Sequence, residues 1–248
     1  MSELIQRGPA EALAGLLGVP VPEDELPLFW HWVYLLDRPA QAELGRDGHR
    51  AAGVEPGRRR MFAGGRVEAL APLRFDEPAE RRADVVDTVE KHGRSGRLTF
   101  NTVRQQVFQR GALVVEERQD IVYRDLPSEP VVAEPLEPVP VAGDEWAIEI
   151  TPPLLFRFSA LTYNGHRIHY DRDYAREIEG HPGLVTHGPL QALAMAELAR
   201  ARGMAATVCE YRLVAPLFEH QGLVVGFADR HASVRDLGGR QTARATLT

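Results

Sequence analysis

Four of the nine histidines fall between Phe156 and Gly188, in the run FRFSALTYNGHRIHYDRDYAREIEGHPGLVTHG. An imidazole titrates near neutrality and can both take and return a proton, so this is the densest supply of acid–base chemistry in the chain. Within it, Tyr163-Asn164-Gly165-His166-Arg167-Ile168-His169-Tyr170-Asp171 follows a short apolar segment and precedes a helical turn expected over Asp173–Glu179. It reads as a loop gathering polar groups, and loops held by a rigid scaffold commonly host chemistry. His169 is the general acid–base candidate. Asn164, five residues earlier, cannot ionise; its carboxamide can hold a water or a substrate oxygen, and the same residue type also serves as a plain turn former.

A second piece is Thr186-His187-Gly188-Pro189, at the entrance to an Ala-rich stretch. Pro is favoured in the first helical turn, where the free N–H groups carry the positive end of the helix dipole. Such an end can polarise a carbonyl and hold developing negative charge, and Gly188, with no side chain in the way, is the natural donor. The same residues also make an ordinary cap and turn. His166 and His169 with Asp171 and Asp173 offer metal-type ligands but lack the i, i+4 spacing of the zinc-protease motif, so no metal is expected. There is no Gly-x-Ser-x-Gly, no phosphate-cradling Gly-x-x-x-x-Gly-Lys and no strand–Gly-x-Gly-x-x-Gly–helix unit. Cys209, the single cysteine, cannot form an intrachain disulfide and sits in an expected strand as a packing residue.

These groups need a scaffold, and 248 residues that are 44% hydrophobic and 26% charged suffice for one large domain or two of about 125 residues. The stretch Leu126 to Asp144, LPSEPVVAEPLEPVPVAGD, has five prolines, four acids and no basic residue, and predicts a stiff connector between halves 1–125 and 145–248. In the first half a helix is expected over Ser2 to Leu17, then apolar Leu28–Leu36, an Arg- and Gly-rich turn over Arg58–Gly65, and strands over Ala83–Glu90, Arg97–Phe108 and Ala112–Tyr123. In the second, a strand over Glu145–Ile150 precedes a helix over Pro189–Arg202 and strands over Ala206–Val214, Gly222–Ala228, Ala232–Arg235 and Gln241–Thr246. One long helix followed by antiparallel strands predicts an α+β fold with the helix laid across the sheet. A net charge of −6 argues against a general nucleic-acid binder, and no apolar run approaches the length of a membrane helix, so a cytoplasmic protein is expected.

The Tyr163–His169 loop and the His-Gly helix entrance resemble the hydratase motif of the MaoC-like, or R-specific enoyl-CoA hydratase, family. The whole Phe158–Gly188 stretch is similar to the branch holding mesaconyl-C4-CoA (3-methylfumaryl-CoA) hydratase, itaconyl-CoA hydratase and the mitochondrial 3-hydroxyacyl-thioester dehydratase. Phe29-Trp30-His31-Trp32, Arg60-Met61-Phe62-Ala63-Gly64-Gly65 and Glu117 to Tyr123 extend the likeness to the first half. The resemblance implies a double hot-dog fold, two curved antiparallel sheets each wrapped on a helix, with the catalytic loop only in the second half and the first shaping the acyl pocket. It implies reversible addition of water across the Cα=Cβ bond of an enoyl thioester of CoA or an acyl carrier protein, short or dicarboxylic. His169 would transfer the proton, Asn164 orient the water and the Gly188 N–H polarise the thioester carbonyl. Where the wider family has Asp, this chain has Asn164, so no charged Asp–His pair carries over. Arg167, Tyr163, His166, His187 and Arg60 are the substrate-binding candidates; Arg58, Arg59 and Arg157 are further cationic anchors, with solvated surface arginine the plainer reading of Arg58, Arg59 and Arg60. No cofactor is required and a homodimer is compatible. A thioesterase and a catalytically silent acyl-thioester binding protein are the alternatives.

Overall fold

The computed structural model describes residues 1–51, 57–93, 96–126 and 136–248. Ten antiparallel strands form one sheet in the order β1-β3-β4-β5-β2-β7-β10-β9-β8-β6. The first five places belong to the N-terminal half: β1 (Ser2–Leu4), β3 (Pro78–Gly93), β4 (Gly96–Gln109), β5 (Ala112–Asp125) and β2 (Arg58–Ala69). The rest belong to the C-terminal half: β7 (Val208–Leu213), β10 (Gln241–Leu247), β9 (His231–Arg235), β8 (Leu223–Ala228) and β6 (Trp146–Ile148). Pairing of β2 with β7 joins the halves edge to edge, as a double hot-dog requires.

The largest departure from the sequence expectation is Arg58–Gly65, which is the start of the 12-residue β2 rather than a turn. Its glycines serve close packing: a Cβ on Gly65 would lie 2.1 Å from the Arg118 carbonyl oxygen, and one on Gly64 would lie 2.4 Å from that of Tyr211. The ladder with β5 shifts register between Phe62 and Gly64, a bulge that lets β2 pair on both sides. The N-terminal helix is also shorter than expected. Ser2–Leu4 pairs with β3, and α1 runs Arg7–Leu17 because Pro9 suits only a first turn and Gly18, at φ 69°, closes the helix on the Ala14 carbonyl.

Helix α3 (Gly188–Ala201) packs on β8, β10, β9, β7 and β2, and every residue from Leu190 to Ala199 is buried. Its alanines let the sheet close around it, since any large side chain on that face would hold the strands away. The N-terminal helix α1 packs across the halves on α2 (Pro152–Leu161), and on a short 3-10 turn of its own half at Trp30–Val33. Trp30 Nε1 donates to Glu197 Oε1 on α3 at 2.7 Å, which ties the two halves at the core. The run read only as a short apolar segment is α2, started by two prolines and capped by the Thr151 hydroxyl accepting from the Leu154 N–H at 3.3 Å. The centre of the expected connector, 127–135, lies outside the described residues; 136–142 has no regular structure. No helix among the described residues is long and apolar enough to cross a membrane.

Candidate active site

At the end of α2 the chain reverses at Tyr163, which adopts φ 50°. The Asn164 N–H then donates to the Ser159 carbonyl at 2.8 Å, and Asn164 Oδ1 accepts from the His166 N–H at 3.0 Å. Because an N–H must face the oxygen, the orientation of the carboxamide is fixed and its Nδ2 donors are left for another partner. A tight turn at Arg167–His169 follows, placing His169 Nδ1 2.7 Å from the Val185 carbonyl oxygen. A carbonyl can only accept, so Nδ1 carries the hydrogen and Nε2 keeps its lone pair. Nε2 has no hydrogen-bond partner among the described residues, yet it is not among the fully occluded polar atoms.

The His169 ring stacks on that of His187, centroids 3.7 Å apart and planes 18° from parallel. His187 caps α3 and directly precedes Gly188, so this stack brings the proton-transfer candidate to the helix entrance. The Gly188 N–H makes no hydrogen bond with a described residue, as expected for the first turn of a helix. Both rings are held neutral. Burial, then the neighbouring His187 and His166, push His169 well below 6.5, and burial with His166 pulls His187 down to about 3. His187 Nε2 is 2.8 Å from the Ser159 hydroxyl, which fixes the ring from α2.

Behind the stack, His166 lies edge-on to His169 at 5.4 Å and against His49 at 4.2 Å. Its Nε2 is 3.3 Å from Glu179. Burial alone raises the Glu179 pKa, but hydrogen bonds from His166 and His181 outweigh it and hold the carboxylate at about 2. His49 belongs to a loop, Gly45 to Arg50, that the sequence reading passed over. Gly48 there, at φ 90°, comes so close to Gly165 that a Cβ would sit 1.8 Å from the Gly165 carbonyl oxygen. The signal available was Gly45-Arg46-Asp47-Gly48-His49, a glycine-flanked polar run like the Tyr163–His169 loop itself. Asp47, His49 and His166 bring three possible ligand atoms within 4.8 Å of one another. They suit a hydrogen-bond relay better than a cation, because His49 Nδ1 faces Asp47 at 3.2 Å and its Nε2 faces the Arg60 guanidinium at 3.3 Å.

The cavity beside this loop measures about 410 Å³ and is lined from both halves, by Trp32, Arg60, Phe62 and Tyr123 on one side and Asn164 and Pro189 on the other. A larger groove of about 1100 Å³ along β7 and β10 contains none of the Tyr163–His169 residues. Of the expected binding residues, Tyr163 and Arg60 line the cavity. His166 and His187, like the candidates His169 and Gly188, are not among its lining residues, although the neighbouring Pro189 is; Arg167 is engaged by Asp171 at 2.7 Å and by the Arg46 carbonyl at 3.1 Å. Arg58 donates to the Tyr123 carbonyl, Arg59 reaches the Glu179 carbonyl, and Arg157 is exposed. A polar cluster also missed from sequence borders the cavity. Buried Glu117 accepts from Gln119 Nε2 at 2.7 Å and from Trp32 Nε1 at 3.0 Å, and lies 2.9 Å from His31 Nε2. Glu117→Ala leaves these donors without an acceptor, and the melting midpoint is expected to fall by about 5–10 °C, from about 2–3 kcal/mol of lost stability. An unchanged midpoint by scanning calorimetry would mean water replaces the carboxylate at no cost.

The family model of hydroxyacyl-thioester dehydratase type 2 matches residues 29–219. The chain belongs to this family. Over 209 residues, this type 2 dehydratase family member is 46% identical to the mesaconyl-C(4)-CoA hydratase of Chloroflexus aurantiacus, covering 82% of this chain and 74% of that protein. It is 33% identical over 115 residues to the mitochondrial hydroxyacyl-thioester dehydratase type 2 of Schizosaccharomyces pombe, covering 45% of this chain and 38% of the relative. Among solved structures, a MaoC-like dehydratase from Phytophthora capsici superposes with a TM-score of 0.70 at 13% identity, over 100% of this chain and 94% of the other. A Mycobacterium tuberculosis protein described as a double hot-dog gives 0.56 at 15% identity, over 100% and 92%. These structural likenesses bear on the fold alone; the sequence relatives make the protein a hydro-lyase of the type 2 dehydratase family.

Proposed function

We propose that the enzyme adds water reversibly across the Cα=Cβ bond of a short enoyl-CoA of the mesaconyl-C4-CoA type, and that His169, Asn164 and Gly188 carry the reaction. The observation that supports these roles is the stack of His169 on His187, which puts an imidazole of fixed tautomer next to the open N–H of α3. The thioester carbonyl accepts from the Gly188 N–H, which draws electron density out of the double bond and leaves Cβ electrophilic. A water held by the Asn164 Nδ2 donors attacks Cβ while His169 Nε2 takes its proton. The enolate oxygen rests on the Gly188 N–H until His169 returns the proton to Cα, so that one water is consumed and no other reagent is needed. Dehydration is the reverse. The N-terminal half, 1–125, walls the acyl chain through Trp32, Arg60 and Phe62, while 145–248 supplies the chemistry. A cytoplasmic homodimer acting on CoA rather than carrier-protein thioesters completes the reading.

The test follows the enoyl-thioester absorbance and free thiol together during incubation with mesaconyl-C4-CoA and crotonyl-CoA. Loss of the enoyl band without thiol release is expected. Stoichiometric thiol would make the protein a thioesterase, and saturable binding without turnover would make it a silent binding protein.

A further inference from the structure

We propose that Arg60 selects substrates with a free carboxylate at the far end of the acyl chain, holding that carboxylate as an ion pair inside the cavity; this rests on the hydration reading above. Arg60 stands on β2 opposite Tyr123 of β5. Its Nη1 donates to His49 Nε2 at 3.3 Å, its other hydrogen-bond partner is the Tyr123 hydroxyl, and the nearest carboxylate, Asp47, is held on the far side of His49 and forms no direct ion pair with it. Its partner His49 is neutral: burial outweighs the bond to Asp47 and pulls the imidazole down to about 4. A half-buried guanidinium hydrogen-bonded only to neutral groups, with its nearest carboxylate screened from it by His49, is only partly neutralised, and an incoming anion completes the pairing.

The other charged groups lining this cavity show what is missing. Arg50 is spoken for by Asp37 and Glu43, and Arg81 donates to Gln105 Oε1 at 3.0 Å. The lining holds three arginines and one acid, and the Glu117 carboxylate that borders it is taken up by His31, Trp32 and Gln119, so the cavity suits an anionic acyl group rather than a plain alkyl chain. Position along the strand sets the length of that group. Phe62, two residues on and therefore on the same face as Arg60, reaches the entrance of α3, where a Cβ on Gly188 would lie 3.2 Å from its ring. Two strand residues span about 7 Å. A four- or five-carbon diacid thioester with its carbonyl on the Gly188 N–H would therefore bring its second carboxylate to Arg60, where a guanidinium can engage it bidentately.

The phosphates of CoA present a rival anion, so the experiment compares two CoA thioesters that differ in the carboxylate. kcat/KM is measured for mesaconyl-C4-CoA and crotonyl-CoA with wild type, Arg60→Gln and Arg60→Lys. The wild type is expected to favour mesaconyl-C4-CoA, and in Arg60→Gln the ratio of the two values should fall about 100-fold, as for loss of one partner of a buried charge pair. Arg60→Lys should recover part of it. A parallel fall for both substrates assigns Arg60 to the CoA phosphates or to support of His49 and overturns the proposal. A wild type that hydrates crotonyl-CoA without preferring the diacid overturns it alone, whereas hydration of neither substrate overturns the underlying reading as well. A measurement on wild type guards against a variant that does not fold: succinyl-CoA should inhibit crotonyl-CoA hydration about 100-fold more tightly than butyryl-CoA, and equal inhibition counts against Arg60.

Discussion

His169→Ala is expected to lower kcat for hydration by two to four orders of magnitude, roughly the contribution of one positioned acid–base group, and, by removing a buried ring and its bond to Val185, to lower the melting midpoint by several degrees as well. Val185 fixes the ring through Nδ1 and His187 fixes its plane, so the lone pair on Nε2 is presented in one orientation. His169 is not itself among the residues that line the cavity, and the histidines packed around it have partners of their own, His49 being held by Asp47 and Arg60. His187 spends Nε2 on Ser159, His166 spends Nε2 on Glu179, and Asn164 has no proton to exchange. The pH profile gives a second readout. Burial and the two neighbouring imidazoles hold His169 well below 6.5, so the basic form is already complete at neutral pH and persists as the medium is acidified. The acid limb of kcat/KM should therefore show no inflection near 6.5 and should fall only at clearly lower pH. A limb centred at 6.5 would describe a solvated imidazole, and near wild-type turnover in His169→Ala would remove the residue from the reaction.

The residues proposed to carry the chemistry could be picked out because proton transfer and an open helix end each need particular residue types close in sequence. His169, Asn164 and Gly188 lie within one run of the chain, and the fold adds only the Val185 carbonyl and the stack that brings them together. Their supports were not legible, since each comes from distant sequence. Gly48 meets Gly165, Arg60 meets His49, and Glu117 meets His31 and Trp32, all through tertiary contacts that no local spacing encodes. Strand periodicity located eight of the ten strands, but took β1 into the N-terminal helix and misread β2 as a turn. Glycines 64 and 65 there mark close backbone approach between strands, which has the same composition as a turn. The Asn164 carboxamide also changes meaning with its neighbours. Once the His166 N–H claims Oδ1, the side chain offers only donors, so in the proposed reaction it can hold the water and the proton falls to His169.

The Gly188 amide can be isolated by a pair of variants that differ in that one N–H. Gly188→Ala by itself places a Cβ 2.1 Å from Leu213 Cδ1 and 3.2 Å from Phe62 Cδ1. The Leu213 methyl is the end of a rotatable side chain, so the protein should still fold, with the start of α3 displaced and kcat reduced. Leu213→Ala removes the collision, and Gly188→Ala/Leu213→Ala should recover much of the lost rate. Gly188→Pro/Leu213→Ala fills the same space but has no N–H. Proline is acceptable there on local grounds, since His187 already has φ −58° and ψ 131°, the backbone required before a proline, and α2 itself begins with two prolines. If the Gly188 N–H holds the enolate oxygen, the proline double variant should fall about 100- to 1000-fold below the alanine one in kcat, the usual loss for one oxyanion donor, with KM changed far less. Equal kcat values in the two double variants would mean that the charge on the thioester oxygen is stabilised elsewhere, and the entrance of α3 would then serve only to seat His187 beneath His169.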